Sequence, residues 1–322
     1  MLLEPETDSA SCIPGTTAMR LNPVFWPAAT TPGSRPPSNL FVPETVEKAL
    51  PVSSSTPPKF APEQEELFRG VLRLMNEKQV PYVVSGAFAL QKHTGIWRNT
   101  KDLDLFLPAE HMKPALDYLE QAGFECEICD PVWLAKARRG EYFVDLITGM
   151  SNAVIMVDRS WIERSVPAEV MGVETRVLAA EELLASKLFV LFRERFDGAD
   201  MAHIIFGKAG GMDWNRVLEL VGEHWELLLS VLVLFHYIYP TSGEFVAKEA
   251  WDELIRRLQK ELANPSSKTD FRGSLLDEKM FAIDVKEWGM PNLVEEYRAR
   301  RGTDPGAAQA LTEVESKHDE AA

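Results

Sequence analysis

Hydrophobic periodicity begins near Pro62, mixes strand and helix spacing as far as Leu178, and is helical alone after that. From Glu63 to Lys78 apolar residues fall at Leu67, Val71, Leu72, Leu74 and Met75, the spacing of an amphipathic helix. Pro81-Tyr-Val-Val84 reads as a strand broken by the turn Ser85-Gly86, and Ala87 to His93 as a short helix ended by Gly95. Asp102 to Leu107 is the next strand, and His111 to Ala122 a helix closed by Gly123. Phe124 to Ile128, Val132 to Ala137 and Glu141 to Ile147 read as strands, the last two joined at Arg139-Gly140. Val166 to Met171 and Val173 to Leu178 form a hairpin about Gly172. Helical spacing then covers Ala180 to Phe196, Asp200 to Ala209, Asp213 to Gly222, His224 to Tyr239 and Lys248 to Leu262.

These elements predict an α/β (α+β) chain: a mixed-sheet domain over 60–178 and a mostly helical domain over 179–302, irregular after about residue 262. Residues 1–59 are rich in Pro, Ser and Thr without an apolar period, and 303–322 are acidic and Ala-rich. Both are expected to be disordered, with Met19 an alternative start for the first.

Composition narrows the classes. The formal net charge is −15, and the excess of acid lies in the body of the chain as well as the tail. Broad nucleic-acid binding needs a basic surface and is not expected. The longest apolar run, Leu227 to Tyr239, is interrupted by Ser230 and His236 and is shorter than the roughly 20 residues a membrane span needs. It reads as a core helix, with His224, Trp225 and His236 packed inside. No basic, apolar leader is visible, so no membrane association is expected. Cys12, Cys126 and Cys129 make no disulfide framework and point to a reducing cytoplasm. Cys126-Glu-Ile-Cys129 has the spacing of half a zinc knuckle and lacks a second pair.

The chemistry sits in the first domain. Asp102 and Asp104, at i and i+2 on a strand, share one face at about 7 Å along it. Asp145, on a later strand, can complete an acidic cup. All-oxygen cups suit hard cations such as Mg²⁺ or Mn²⁺, which share their ligands with phosphates, so the pattern implies metal-assisted phosphoryl or nucleotidyl transfer. The plainer alternative is a solvated strand end and a solvent-facing Asp145. Like charges on one face repel without a cation, which disfavours it. Arg98 and Lys101 flank the acidic strand as phosphate partners or plain surface charge, and Thr100 shapes the turn. Asp200 and His203, at i and i+3, can face each other or serve as a cap and a satisfied histidine.

The run Val83-Val-Ser-Gly-Ala-Phe-Ala-Leu90, then Arg98-Asn-Thr-Lys-Asp-Leu-Asp-Leu-Phe106 and Val144-Asp-Leu146, resembles the DNA-polymerase-β-like nucleotidyltransferase superfamily. The chain looks most like bacterial members related to abortive-infection (type IV toxin) proteins and to small aminoglycoside and lincosamide nucleotidyltransferases. The resemblance covers roughly residues 64–240 and implies a nucleotidyltransferase fold. It implies that Ser85 and Gly86 hold nucleotide phosphates at a helix start. Asp102 and Asp104 would hold Mg²⁺, and Asp145 would bind metal or act as base on the acceptor hydroxyl. Lys187, in Glu181-Glu-Leu-Leu-Ala-Ser-Lys-Leu188, matches a triphosphate lysine. Arg193-Glu-Arg-Phe-Asp-Gly-Ala-Asp200 resembles a second motif of the toxin-like branch, with Arg195, Asp197 and Asp200 its candidates. Arg98 joins the nucleotide-binding set. The turn reads Ser-Gly where the pattern has Gly-Gly or Gly-Ser, and 15 residues separate Gly86 from Asp102, more than is usual.

The expected activity is transfer of a nucleoside monophosphate from an NTP donor to a hydroxyl on a small molecule, a tRNA end or a protein, with Arg138-Arg139 or Arg193 and Arg195 able to line a local groove. Two other classes compete: a glycosyltransferase using Asp-x-Asp, and a non-catalytic nucleotide-binding or toxin–antitoxin module. The Ser-Gly turn and third carboxylate speak against the first, and the intact triad against the second.

Overall fold

The first helix shows how local sequence sets the frame. In the computed structural model, which describes residues 56–98, 100–192, 194–265 and 271–302, α1 spans Pro62–Glu77. Pro62 suits a first turn because the amide it lacks has no helical partner there. Glu63 and Glu65 complement the positive helix end. The apolar face of α1 buries Leu67, Phe68, Val71, Leu72 and Met75. Residues 1–55 and 303–322, within the segments expected to lack order, lie outside the described residues, as does Arg193.

Beyond α1 come β1 (Val83–Val84), α2 (Gly86–Thr94), β2 (Leu103–Phe106), α3 (Met112–Gln121), β3 (Glu125–Asp130), β4 (Leu134–Arg139) and β5 (Tyr142–Ile147). A short α4 (Arg159–Arg164), capped by Asp158, precedes the hairpin β6 (Val166–Val170) and β7 (Val173–Val177). Then follow α5 (Ala180–Lys187), α6 (Gly198–Lys208), α7 (Trp214–Val221), α8 (Trp225–Ile238) and α9 (Lys248–Ala263). The stretch expected to be irregular carries α10 (Gly273–Leu276), α11 (Ala282–Lys286) and α12 (Leu293–Gly302).

The seven strands form one mixed sheet in the order β3-β4-β5-β2-β1-β7-β6, bearing out the expected α+β class. β2 pairs parallel with β5 and antiparallel with β1, and β1 pairs parallel with β7. Register fixes which residues meet: Asp104 lies opposite Asp145, and Asp145 opposite Lys136. Their neighbours Leu103, Leu105, Val144, Leu146, Ala135 and Ala137 point to the other face and are buried. α1 packs against β5 and α3 against β3.

One continuous hydrophobic core runs from Leu67 to Leu254, so sheet and helices α5–α9 share an interior. The described residues all fall in one compact unit, and no helix among them is long and apolar enough to cross a membrane.

The helix expected over Ala180 to Phe196 stops at Lys187. Continued, it would carry residue 197 about 15 Å along the axis from Lys187. The chain instead turns back, Leu191 bridges to Phe196, and the Asp197 Oδ2 comes to 2.6 Å from Lys187 Nζ. The need of a buried ammonium for counter-charge outweighs the local helical pattern. His224 and Trp225 are buried as expected, whereas His236 is exposed on the outer side of α8, because the apolar face of that helix runs through Leu228, Val231, Leu232 and Phe235.

Candidate active site

The turn between β1 and α2 brings backbone closest to the acidic strand. Gly86 adopts φ +55°, and a Cβ there would lie 1.9 Å from Asp104 Oδ2. Only glycine permits both the backbone angle and that approach. The Ser85 amide donates to the Asp104 carbonyl at 2.9 Å, tying the turn to β2. Ser85 is 2% exposed, and its side chain does not cap α2, leaving the first amides of that helix to other acceptors.

Asp102, Asp104 and Asp145 offer carboxylate oxygens that all lie within 4.8 Å of one another. Thr100 Oγ1 donates to Asp102 Oδ1 at 2.7 Å, and the Lys136 ammonium donates to Asp145 Oδ1. Burial, then the charges of Asp102 and Asp145, push the Asp104 carboxyl from 3.8 up to about 7, with Lys187 and Arg195 pulling the other way. Burial also raises Asp145, opposed mainly by Lys136. Three clustered, partly buried carboxylates are unfavourable alone, and a hard divalent cation relieves them. Their oxygen-only chemistry fits Mg²⁺ or Mn²⁺, and these three residues could hold it.

Cations border the cup. Lys187 is buried, with Nζ 2.6 Å from Asp197 Oδ2 and 3.1 Å from Asp200 Oδ2. Arg195 grips Asp197 through Nε at 3.0 Å and a terminal nitrogen at 3.1 Å. Burial works to raise Asp197, but Arg195 and Lys187 hold it below its ordinary value. Arg98 Nε reaches Asp200 Oδ1 at 2.8 Å, and another of its nitrogens lies 3.2 Å from His203 Nδ1. Arg98, Asp200, Lys187, Asp197 and Arg195 thus form one alternating chain of charge.

A cavity of about 170 Å³ is lined by the polar residues Ser85, Asp104, Lys187, Arg195 and Asp197, by Gly86, and by apolar residues that include Phe106, Trp133, Met150, Phe189 and Phe192. A larger cavity of about 660 Å³, near Phe60, Phe88 and Trp97, holds none of the three carboxylates, so carboxylate geometry rather than size locates the site.

The structure therefore gathers Ser85, Gly86, Asp104, Lys187 and Arg195 around one cavity and joins Asp102 and Asp145 to Asp104. Arg98 stands outside the cavity, joined to Lys187 through Asp200. The Lys101 carbonyl accepts from Gln64 Nε2 at 2.8 Å. Glu182, five residues before Lys187 on the same helix, does not meet it. Fully buried, it pairs with Arg216 at 2.9 Å and Arg164 at 3.3 Å. Arg138 lies near Glu127 and the Phe143 ring, and Arg139 over Phe124. Cys126 is half-buried and Cys129 exposed on β3, both as free thiols. Sequence reasoning passed over Lys136. Its signal is a lysine between two buried alanines of an alternating strand, in a hairpin with the strand of Asp145.

A family model described as an uncharacterised nucleotidyltransferase matches residues 35–239. No curated protein matches. Similar solved structures include the antibiotic-resistance factor ANT(2'')-Ia in solution, 16% identical over 54% of this chain and 98% of that one, TM-score 0.37. The lincomycin-bound lincosamide antibiotic adenylyltransferase LnuA is 19% identical over 44% and 95%, TM-score 0.33. An antigenic nucleotidyltransferase-like protein from Paracoccidioides brasiliensis is 16% identical over 59% and 96%, TM-score 0.37. Likeness of this extent carries nothing about substrate.

Proposed function

Since the chain belongs to that nucleotidyltransferase family, we propose that it moves a nucleoside monophosphate from a Mg²⁺-bound NTP to a hydroxyl acceptor and releases pyrophosphate. The observation that carries this reading is the convergence of Asp102, Asp104 and Asp145 beside the glycine turn at the start of α2. In this reading Asp102 and Asp104 would hold Mg²⁺ or Mn²⁺, with Asp145 beside them at the edge of the cup. A divalent ion bound there would neutralise charge building on the phosphates.

The remaining steps belong to side chains and backbone. The first amides of α2, from Gly86 onward, meet phosphate oxygens, with the Ser85 side chain beside them in the same cavity. Lys187 and Arg195 face the same cavity and offset triphosphate charge, with Arg98 steadying Lys187 through Asp200. Asp145 takes the proton of the acceptor hydroxyl, and its burial-raised affinity for a proton suits that task. The new bond joins the acceptor oxygen to the α-phosphorus, and the bond from that phosphorus to the bridging oxygen breaks, releasing pyrophosphate. The acceptor is a small molecule, a tRNA end or a protein hydroxyl. We take residues 60–178 as the catalytic domain and 179–302 as its helical partner. Scarce cysteine supports a cytoplasmic setting, and the Arg195, Asp197 and Asp200 run supports a place near the bacterial toxin-like branch.

The test is label transfer. Purified protein is incubated with Mg²⁺ and each α-³²P NTP, with a lysate supplying acceptors. Wild type is expected to label an acceptor, and Asp102→Asn/Asp104→Asn to lose at least about a hundredfold in rate. Nucleotide binding without any labelled product would point to a non-catalytic module.

A further inference from the structure

Lys136 stands in the row of charges at the centre of the site, where no role has been given to it. β4, β5 and β2 place Lys136, Asp145 and Asp104 side by side on one face of the sheet. The Lys136 ammonium donates to Asp145 Oδ1 and lies 3.9 Å from the centre of the Phe143 ring, two residues before Asp145 on the same face. The ring and the carboxylate together fix where the ammonium sits. An ordinary cross-strand ion pair is exposed and weak, but here the side chains are only 17% and 13% exposed.

The three carboxylates are therefore not equivalent. Asp102 takes a neutral hydroxyl from Thr100, whereas Asp145 already has a full positive charge against it. One divalent ion and one ammonium balance three carboxylates.

We propose that Lys136 is the built-in counter-ion and positioning residue of Asp145. It competes with a divalent ion for the third carboxylate, so that Asp102 and Asp104 make the primary metal site and Asp145 stands beside it. This inference rests on reading the acidic cup as a metal site.

The test measures Mn²⁺ binding to the full chain without nucleotide, from the loss of the free-ion electron paramagnetic resonance signal. Lys136→Met is expected to bind Mn²⁺ about tenfold more tightly than wild type, because Asp145 loses its rival cation. Lys136→Arg, which keeps the charge, is expected to bind like wild type, and so is Asp145→Asn. Damage to the fold would weaken binding rather than tighten it. Binding by Lys136→Met no tighter than wild type, or a tenfold loss in Asp145→Asn, overturns the proposal. Asp102→Asn/Asp104→Asn separates the two levels. If wild type takes up no Mn²⁺, or this double variant binds as well as wild type, the metal-site reading fails and the role of Lys136 goes with it.

Discussion

At the residue scale, the site is built from groups that are costly to keep together. Gly86 approaches Asp104 so closely that Gly86→Ala adds both a steric clash and backbone strain at φ +55°. The strain alone costs on the order of 1–3 kcal/mol. The variant is expected to melt lower and to lose divalent-ion binding, which thermal melts with and without Mg²⁺ would reveal. Asp104 carries a second cost. Burial, then the charges of Asp102 and Asp145, push its carboxyl from the ordinary 3.8 up to about 7 in the folded chain, so the folded state binds more protons between those values. Stability from this group is thus present at low pH and lost as pH rises through about 7. In EDTA, wild type is expected to lose more stability between pH 5.5 and pH 8 than Asp104→Asn, which is expected to be the more stable at pH 8 by on the order of 2 kcal/mol. Equal slopes in the two proteins would remove the argument. The carboxylate pattern was legible from sequence because alternation on a strand is local. Lys136 was passed over although its hairpin was legible, because the pairing with Asp145 shows only once the register about Arg139-Gly140 is counted out.

At the element scale, α5 shows where periodicity misleads. Its residues are buried throughout, so no polar face marks its end, and apolar spacing continues past Lys187 through Leu188, Phe189 and Phe192. What stops the helix is pairing between Lys187 and residues ten and thirteen further on. The other end of α5 is held by charge as well: Glu182 accepts from Arg216 of α7 and lies 3.3 Å from Arg164 of α4. Glu182→Met would leave Arg216, itself 10% exposed, without that counter-charge. Breaking a buried pair in this way is worth about 3–5 kcal/mol, read as a drop in urea midpoint. A shift under about 1 kcal/mol would show that Glu219 and Ser160, which accept from the other Arg216 nitrogens at 3.0 and 2.7 Å, already serve it. The hairpin of β6 and β7 and helices α1, α7, α8 and α9 were legible to within a residue or two, because their own apolar faces and the Gly172 turn specify them. The last helices were missed, as α10 and α11 are too short to show a period.

At the scale of the whole molecule, the order β3-β4-β5-β2-β1-β7-β6 does what no single element can. It sets a strand from residue 103 parallel to one from residue 142, so that Asp104 and Asp145 become neighbours. Nothing in local sequence fixes that pairing; the strand pattern allows Asp145 to complete the cup, and resemblance to a known family implies that it does. The shared core fastens α5 and α6 over the same side, bringing Lys187 and Arg195 to the cavity that Asp104 lines. The whole arrangement stands on metal-dependent nucleotide binding at the three carboxylates. Calorimetric titration of wild type and Asp102→Asn/Asp104→Asn with each NTP, with and without Mg²⁺, tests it most directly. Binding of at least one NTP that requires Mg²⁺ and vanishes in the double variant is expected. A folded wild-type protein that binds none of the four, or a double variant that binds as wild type does, would contradict it.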